Sequence, residues 1–163
     1  MEAILNRLKE KIVALGERAF FNLPAGEEAI RDVEERMKIT FPASIREFYK
    51  AFDGGFFADT TWSFDELKDP RQFETIQWNS NNILSLEEIK SGFGSRYHGC
   101  VPVIHTHTQE FLVFLNPLKD NESAIYDAFH EFQPHQWGAL YSTFEELLND
   151  YIDKEGNIKT LAI

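Results

Sequence analysis

The spacing of apolar side chains changes near residue 54, and this change limits the folds that the sequence can adopt. Before it, apolar residues recur every three or four positions, the period of an amphipathic helix. After it, they form short runs separated by Asn, Gly, Pro and Asp, a pattern typical of strands joined by turns. Because helices precede strands and a last helix follows them, we predict an α+β domain. In this domain, N-terminal helices pack on a mainly antiparallel sheet, and a C-terminal helix closes the fold.

Three helices are predicted in the first third of the chain. Residues 3–20 carry apolar side chains at helical spacing along one face. Residues 27–37 form the second helix, with two glutamates in its first turn, where the helix dipole favours negative charge. The third helix begins near Pro42, which suits a first turn, and ends at Gly54-Gly55.

Four short apolar runs are the predicted strands. The run at residues 111–115, FLVFL, is apolar at every position. We therefore place it inside a sheet that is covered on both faces. The four runs are residues 83–84, 101–104, 110–115 and 124–127.

Two more helices are predicted from their N-cap signals. Ser85 and Thr143 are each followed three residues later by a glutamate, the spacing of a capping box. The second of these helices should run to about residue 152 and close the fold.

Size and composition fit a single domain over residues 1–163, with 23 aromatic residues to supply much of its core. The single cysteine, Cys100, excludes an intrachain disulfide and a multi-cysteine zinc site. No apolar run approaches the roughly 20 residues of a membrane-spanning helix. The N-terminus also lacks a basic segment followed by an apolar stretch. We expect a cytoplasmic protein without a membrane partner.

Charge is unevenly distributed along the chain. Residues 1–50 contain nine acidic and nine basic side chains, so residues 51–163 carry the whole formal charge of −11. An acidic surface repels nucleic acid and anionic membranes, whose binding depends on Lys and Arg. It would instead speed the encounter with a basic protein partner. The simpler alternative is that the charge only keeps the protein soluble.

A longer motif surrounds the third predicted helix. Glu34 is followed by Phe41-Pro42, then by a helix with aromatic residues, and then by Asp53-Gly54-Gly55. This order resembles the signature of the SUKH superfamily, in which Glu precedes Leu-Pro, a helix with an aromatic residue, and Asn-Gly-Gly. Phe41 can pack where that signature has Leu, and Asp53 tolerates a turn where it has Asn.

Later segments resemble the same superfamily in the expected order. The resemblance covers about residues 27–152, and the helix over residues 3–20 is an N-terminal addition to it. Two departures are visible. Residues 56–82 are longer than the usual link after Gly-Gly, and residues 105–109, HTHTQ, replace a Gly-Asp-rich hairpin turn. The matching segments are residues 83–89, 101–104, 110–114, 124–127 and 141–148.

The resemblance implies a non-enzymatic binding domain without a cofactor. Most bacterial members of the superfamily that this sequence resembles are immunity proteins, which bind and neutralise a cognate protein toxin, often a nuclease. We therefore expect an immunity or antitoxin-type protein whose partner is a basic toxin domain, with no direct contact to nucleic acid. The alternative is a regulatory scaffold module that binds a signalling or cell-wall partner, because a fungal member regulates cell-wall synthesis.

The histidines are the first candidates for metal or catalytic chemistry. In an extended segment, His105 and His107 would share a face and could bind zinc with Glu110 or His130. They lie at a predicted turn, however, where polar residues need no metal to explain them, so we predict no metal site. The five histidines are His98, His105, His107, His130 and His135.

Other residues give no stronger sign of catalysis. Cys100 with a nearby histidine could form a reactive thiolate pair, but it enters an apolar strand, as buried cysteines do. Asp127 and Glu131 are paired carboxylates without any feature that sets them up as acid and base. The glycines of residues 92–99 lack the spacing of a phosphate-binding loop. We predict no catalytic residue.

The predicted contact residues combine acidic and aromatic side chains. Interfaces favour aromatic anchors within a polar rim, and carboxylates would match a basic toxin or replace the phosphates of a nuclease substrate. The alternative, left open here, is that Trp62 and Phe64 pin their loop to the core while the acids solvate it. The predicted contacts are Asp59, Trp62, Asp65, Glu66, Asp69, Glu131 and Trp137.

Overall fold

One antiparallel sheet organises the structure. The computed structural model describes residues 1–91, 100–115, 124–128 and 136–158. Within these ranges, seven strands follow one another in chain order, and each pairs antiparallel with the next. They are β1 (Ala19–Phe21), β2 (Gly55–Phe57), β3 (Asn82–Ile83), β4 (Cys100–His105), β5 (Phe111–Leu115), β6 (Ile125–Asp127) and β7 (Ala139–Tyr141).

Helices precede, interrupt and follow this sheet, and their order confirms the predicted α+β class. Among the residues described, no helix is both long enough and apolar enough to cross a membrane. The helices are α1 (Glu2–Leu15), α2 (Glu27–Met37), α3 (Ala43–Ala51), α4 (Phe64–Lys68), α5 (Phe73–Trp78), α6 (Leu86–Lys90) and α7 (Phe144–Asp153).

The main core joins five of the helices to one face of the sheet. Leu8, Ile30, Phe48, Ile89 and Leu148 come from α1, α2, α3, α6 and α7, and each is fully buried. They share one cluster with apolar side chains from strands β3 to β6. The apolar helix faces that the sequence predicts are therefore the faces that the fold buries.

Strand β5 is covered on both faces, as predicted. Leu112 and Phe114 point into the main core, whereas Val113 between them joins a second cluster with Cys100 and Trp137. Successive side chains of a strand point to opposite faces, so both faces of the sheet are packed at this position.

The first helix is shorter than predicted. It ends at Leu15 rather than at residue 20, and a 3-10 turn over Gly16–Arg18 leads into β1. Phe20 and Phe21 explain the change, because they pack on opposite faces of the sheet. A helix would have placed neighbouring side chains only about 100° apart and could not have delivered them to both faces.

Four short elements were not predicted: α4, α5, β2 and β7. Each of the two strands has three residues, too few to show the alternation of a strand. Both helices lie in residues 56–82, the stretch that is longer than the usual SUKH link.

The predicted helix caps are present, with one change of partner. Ser85 Oγ accepts a hydrogen bond from the Glu88 N–H (3.2 Å), and Glu88 Oε2 accepts one from the Ser85 N–H (2.7 Å). Thr143 Oγ1 likewise accepts from the Glu146 N–H (3.1 Å). The Glu146 carboxylate, however, accepts from the N–H of Ser142 (2.8 Å), so the second capping box is shifted by one residue.

Gly54 and Gly55 lie where β1, β2 and β3 meet, and neither position has room for a side chain. A Cβ on Gly54, at φ 77°, would lie 2.6 Å from the carbonyl oxygen of Ile83. A Cβ on Gly55, at φ 149°, would lie 2.5 Å from the carbonyl oxygen of Phe20. Glycine therefore permits both the backbone conformation and the close approach of the three strands.

Two carboxylates of the same motif bind backbone and join neighbouring helices. Asp53 Oδ1 accepts a hydrogen bond from the N–H of Leu86, the first residue of α6 (2.8 Å). Glu34 accepts from the N–H of Phe41 (3.1 Å) and from Arg46 Nη1 (2.7 Å). Asp53 thus connects the end of α3 to α6, and Glu34 connects α2 to the start of α3.

We predict that Gly54→Ala destabilises the fold by about 3 kcal/mol or more, because left-handed strain and steric overlap each cost roughly 1–3 kcal/mol. Gly138→Ala is the matched control, since nothing lies within 4 Å of the added Cβ. Urea unfolding of both variants measures the effect. A Gly54→Ala stability within about 0.5 kcal/mol of wild type, the usual range of surface substitutions, would contradict this account.

We also predict that Asp53→Ala lowers the free energy of unfolding by about 1 kcal/mol, because the first N–H of α6 loses its acceptor. Asp53→Asn keeps an amide oxygen at that position and should retain most of the stability. Urea unfolding of the two variants makes the comparison. Equal losses for Asn and Ala would show that the hydrogen bond to Leu86 is not what Asp53 contributes.

Candidate functional site

The segment between β2 and β3 carries five of the seven predicted contact residues. Residues 59–79, called here the α4–α5 segment, contain five acidic and two basic side chains, a formal charge of −3. Asp59, Trp62, Asp65, Glu66 and Asp69 all belong to it. Apart from Trp62 and Asp69, which are half-buried, these side chains are exposed. Most of the acidic side chains of this segment are therefore open to solvent, in the stretch that directly follows β2.

A small apolar cluster fixes this segment to the sheet. Leu67 of α4 and Ile76 of α5 are buried with Phe56 and Ala58, on the face of β2 that lies opposite the main core. Trp62 packs partly buried against the same cluster. The packing of Trp62 agrees with the alternative interpretation, in which this side chain holds the loop to the core.

Exposed phenylalanines border the acids of the α4–α5 segment. Phe73 is 42% exposed, yet its ring lies 5.7 Å from that of Phe20 and 5.8 Å from that of Phe56. Phe64 is 53% exposed and lies under the guanidinium of Arg18, whose Cζ is 4.9 Å from the ring centroid. Phe64 is therefore not pinned in the core, in contrast to Trp62. Phe73 is not among the contact residues predicted from the sequence, because no residue pattern indicates helix α5.

Helix α4 begins at a complete capping box. Ser63 Oγ accepts from the N–H of Glu66 (3.2 Å), and Glu66 Oε2 accepts from the N–H of Ser63 (2.7 Å). Hydrogen bonds from the backbone N–H and the side chain of Ser63 to the carboxylate lower the pKa of Glu66, so this group stays ionised at neutral pH. The spacing Ser63 to Glu66 repeats that of Ser85 to Glu88, and it is the signal from which α4 could have been found.

The three aspartates of the segment differ in their bonding. One Asp59 oxygen accepts from the N–H of Thr61 (2.8 Å), which shapes the loop before α4. Asp69 binds the Arg71 guanidinium through both oxygens (3.0 and 3.1 Å), which lowers the pKa of Asp69. Asp65 is exposed and has no ion pair or hydrogen bond within the described part of the chain. Of these three aspartates, it is the most available to a partner.

Trp137, from the second group of predicted contacts, does not join this surface. Trp137 is only 7% exposed and packs with Cys100, Val113 and Ala128 on the outer face of the sheet. Its ring supports β4 and β5, so it does not offer an exposed anchor. Glu131 lies outside the described residues.

The histidines and the cysteine form no catalytic constellation in the ranges that the structure covers. His105 is buried beside the ring of Trp78 at 4.4 Å, and burial lowers the pKa of His105 to about 4. His107 lies in the hairpin turn, with Nδ1 3.0 Å from the side-chain oxygen of Asn81. Burial raises the pKa of the Cys100 thiol, which disfavours a thiolate nucleophile.

No metal-binding cluster is present among the described residues. Within them, no group of three or more His, Cys, Asp or Glu side chains is placed to hold an ion. Three of the histidines, His98, His130 and His135, and the glycine-rich residues 92–99 lie outside the described residues. Asp127 is fully buried on β6, and its predicted pair with Glu131 likewise falls outside them.

Comparison with known proteins identifies the scaffold. The family model described as SMI1 / KNR4 family (SUKH-1) matches residues 24–150, which include the Glu34, Asp53 and Gly54-Gly55 contacts. No curated protein matches the sequence. Since the family model covers most of the chain and begins and ends close to the predicted limits, the chain belongs to the SMI1 / KNR4 family (SUKH-1) of the SUKH superfamily.

Proposed function

We propose that this protein is an immunity-type protein, which binds a cognate protein toxin and neutralises it without catalysis. Membership of the SUKH superfamily is consistent with an immunity-type or a regulatory protein. The observation that carries the proposal is the α4–α5 segment, where half-exposed phenylalanines stand among carboxylates on a rigid support. Large exposed apolar side chains rimmed by charge are typical of protein interaction sites.

The aromatic part of this surface supplies the anchors. Phe64 and Phe73 expose about half of their area, while Phe20 and Phe56 stack 5.0 Å apart beneath Phe73 and hold it in place. A rigid aromatic side chain loses little conformational freedom on binding and gains much when a partner excludes water from it. Trp62 lies in the same segment and is half-buried against the apolar cluster beneath it.

The acidic part of this surface recruits a basic partner. Asp59, Asp65, Glu66 and Asp69 lie in the same segment as the aromatic anchors, and the pKa values of Glu66 and Asp69 are lowered by their hydrogen bonds. Carboxylates that remain ionised attract a cationic surface over a distance set by the ionic strength. If the toxin is a nuclease, they would occupy the positions of nucleic-acid phosphates in its active-site cleft.

A pull-down from the native organism, with this protein as bait and washes at two salt concentrations, tests the proposal. We expect recovery of a basic protein that stops growth when expressed alone and is silenced by co-expression of this chain. Recovery of only nontoxic signalling or cell-wall proteins would contradict the immunity function. That result would favour the alternative, a regulatory scaffold module.

We predict that the association rate constant with the toxin falls at least tenfold between about 20 and 500 mM NaCl, since screening removes steering by the acidic segment. Asp65→Asn should lower the rate at low salt several-fold and leave stability unchanged. Stopped-flow fluorescence measures both. Equal rates at the two salt concentrations would rule out steering.

Phe64→Ala should weaken the complex about 30-fold or more, mainly through faster dissociation, as expected for a central aromatic anchor worth about 2 kcal/mol. Leu23→Ala is the matched control, because Leu23 is 84% exposed and lies outside the α4–α5 segment. Surface plasmon resonance gives both dissociation rates. Similar affinities for the two variants would place the interface elsewhere.

A further inference from the structure

A polar groove of about 380 Å³ borders the α4–α5 segment. Five parts of the chain that are distant in sequence form its walls. Arg18 and Asp59 lie at the corner of β1 and β2, Asn81 lies between α5 and β3, and Asn157 follows α7. His107 adds the turn of the β4–β5 hairpin. The volume falls within the range of about 300–1,000 Å³ that is usual for ligand sites.

Several walls of the groove come from parts of the chain that lie outside the family match or depart from the family pattern. Arg18 precedes the family match over residues 24–150, and Lys154 to Asn157 follow it. Asp59 belongs to the longer link after Gly54-Gly55, and His107 to the hairpin turn that departs from the family pattern. These parts are distinct from the segments that carry the resemblance to the SUKH signature.

Asn81 connects two walls of the groove through hydrogen bonds, and one of these bonds determines the tautomer of His107. Its Nδ2 donates to the carbonyl oxygen of Gly156 (2.7 Å), so its Oδ1 must be the acceptor on the other side. That Oδ1 accepts from the backbone N–H of His107 (2.9 Å) and lies 3.0 Å from His107 Nδ1. The proton of the neutral imidazole is therefore on Nδ1, and Nε2 is left as an acceptor.

The groove is electrically balanced, although the chain carries a formal charge of −11. Its two cations and two carboxylates are Arg18, Lys154, Asp59 and Glu155. Two of these charges are paired with residues outside the groove: Lys154 binds Asp150 (2.7 Å), and Glu155 binds Lys11 (3.3 Å). Arg18 donates to the Asp59 carbonyl oxygen (2.5 Å). Beside the charged side chains, the groove offers neutral donors and acceptors, including the Asn157 amide and His107 Nε2.

Neutral donors and acceptors in an open groove match a polypeptide main chain, which presents alternating N–H and C=O groups. We propose that the groove binds an extended segment of the protein partner. This inference rests on the proposed function. Arg18 links the two surfaces, because the same guanidinium lines the groove and covers Phe64. A partner anchored on Phe64 would lay an adjoining loop into the groove, and that loop would distinguish its toxin from related ones.

A phage-displayed library of linear 12-residue peptides, selected on the immobilised full chain, tests the groove without the toxin. Asn157→Trp fills the groove from its exposed rim, and Leu23→Trp places the same ring at an exposed position elsewhere. We expect the selected peptides to bind wild type and Leu23→Trp equally, and Asn157→Trp at least tenfold more weakly. His107→Ala should weaken them about threefold through loss of Nε2. Thermal unfolding verifies that each variant is folded.

Two results would overturn the groove proposal: no peptide enriched above the background of uncoated wells, or enriched peptides that bind both groove variants as tightly as wild type. The toxin itself separates this proposal from the proposed function. If wild type and Asn157→Trp neutralise it with equal affinity, the groove proposal fails while the immunity function stands. If the selected peptides bind the groove and the pull-down recovers only nontoxic proteins, the immunity function fails while the groove proposal stands.

Discussion

The close approach of three strands at Gly54 and Gly55 is the constraint on which the rest of the structure depends. Any side chain at these positions would collide with the backbone of β1 or β3. Because the collision would be with backbone atoms, no change of rotamer could relieve it. The glycines let the chain leave α3 and enter β2 directly, so the helical layer and the sheet share one core. Asp53, next to them, fixes where α6 begins.

This constraint divides the chain into a scaffold and the parts that the scaffold carries. The signature residues all have bonding or packing roles inside the fold: Glu34, Asp53 and the two glycines. The SUKH signature therefore identifies the fold but not the partner that the protein binds. The exposed side chains of the α4–α5 segment and of the groove rim take no part in the pairing of the strands. These side chains can change with the partner at little cost to stability.

Long, strongly periodic elements could be predicted from the sequence, whereas the short ones could not. Helix α2 has the predicted bounds, and α7 ends one residue beyond the prediction, because each presents a full apolar face. Strand β1 was mistaken for helix because Phe20 and Phe21 continue the apolar run of α1, and only pairing with β2 shows that they face opposite sides.

The candidate site was predicted in part for a similar reason. The acidic and aromatic composition of residues 59–69 predicts a contact surface there, but composition does not show which side chains are buried. Trp62 and Trp137 turned out to pack against apolar clusters, while Phe64 and Phe73 are about half exposed. That distribution depends on contacts with Phe20, Phe56 and Cys100, which are far apart in the sequence.

In the proposed complex, the partner binds the surface outside the scaffold. Amide hydrogen exchange of the chain, free and bound to the toxin recovered with it, locates the contact surface. We expect slower exchange in residues 59–79 on binding and unchanged exchange in α2 and α3. Protection confined to α2 and α3, with residues 59–79 exchanging as in the free protein, would contradict this proposal.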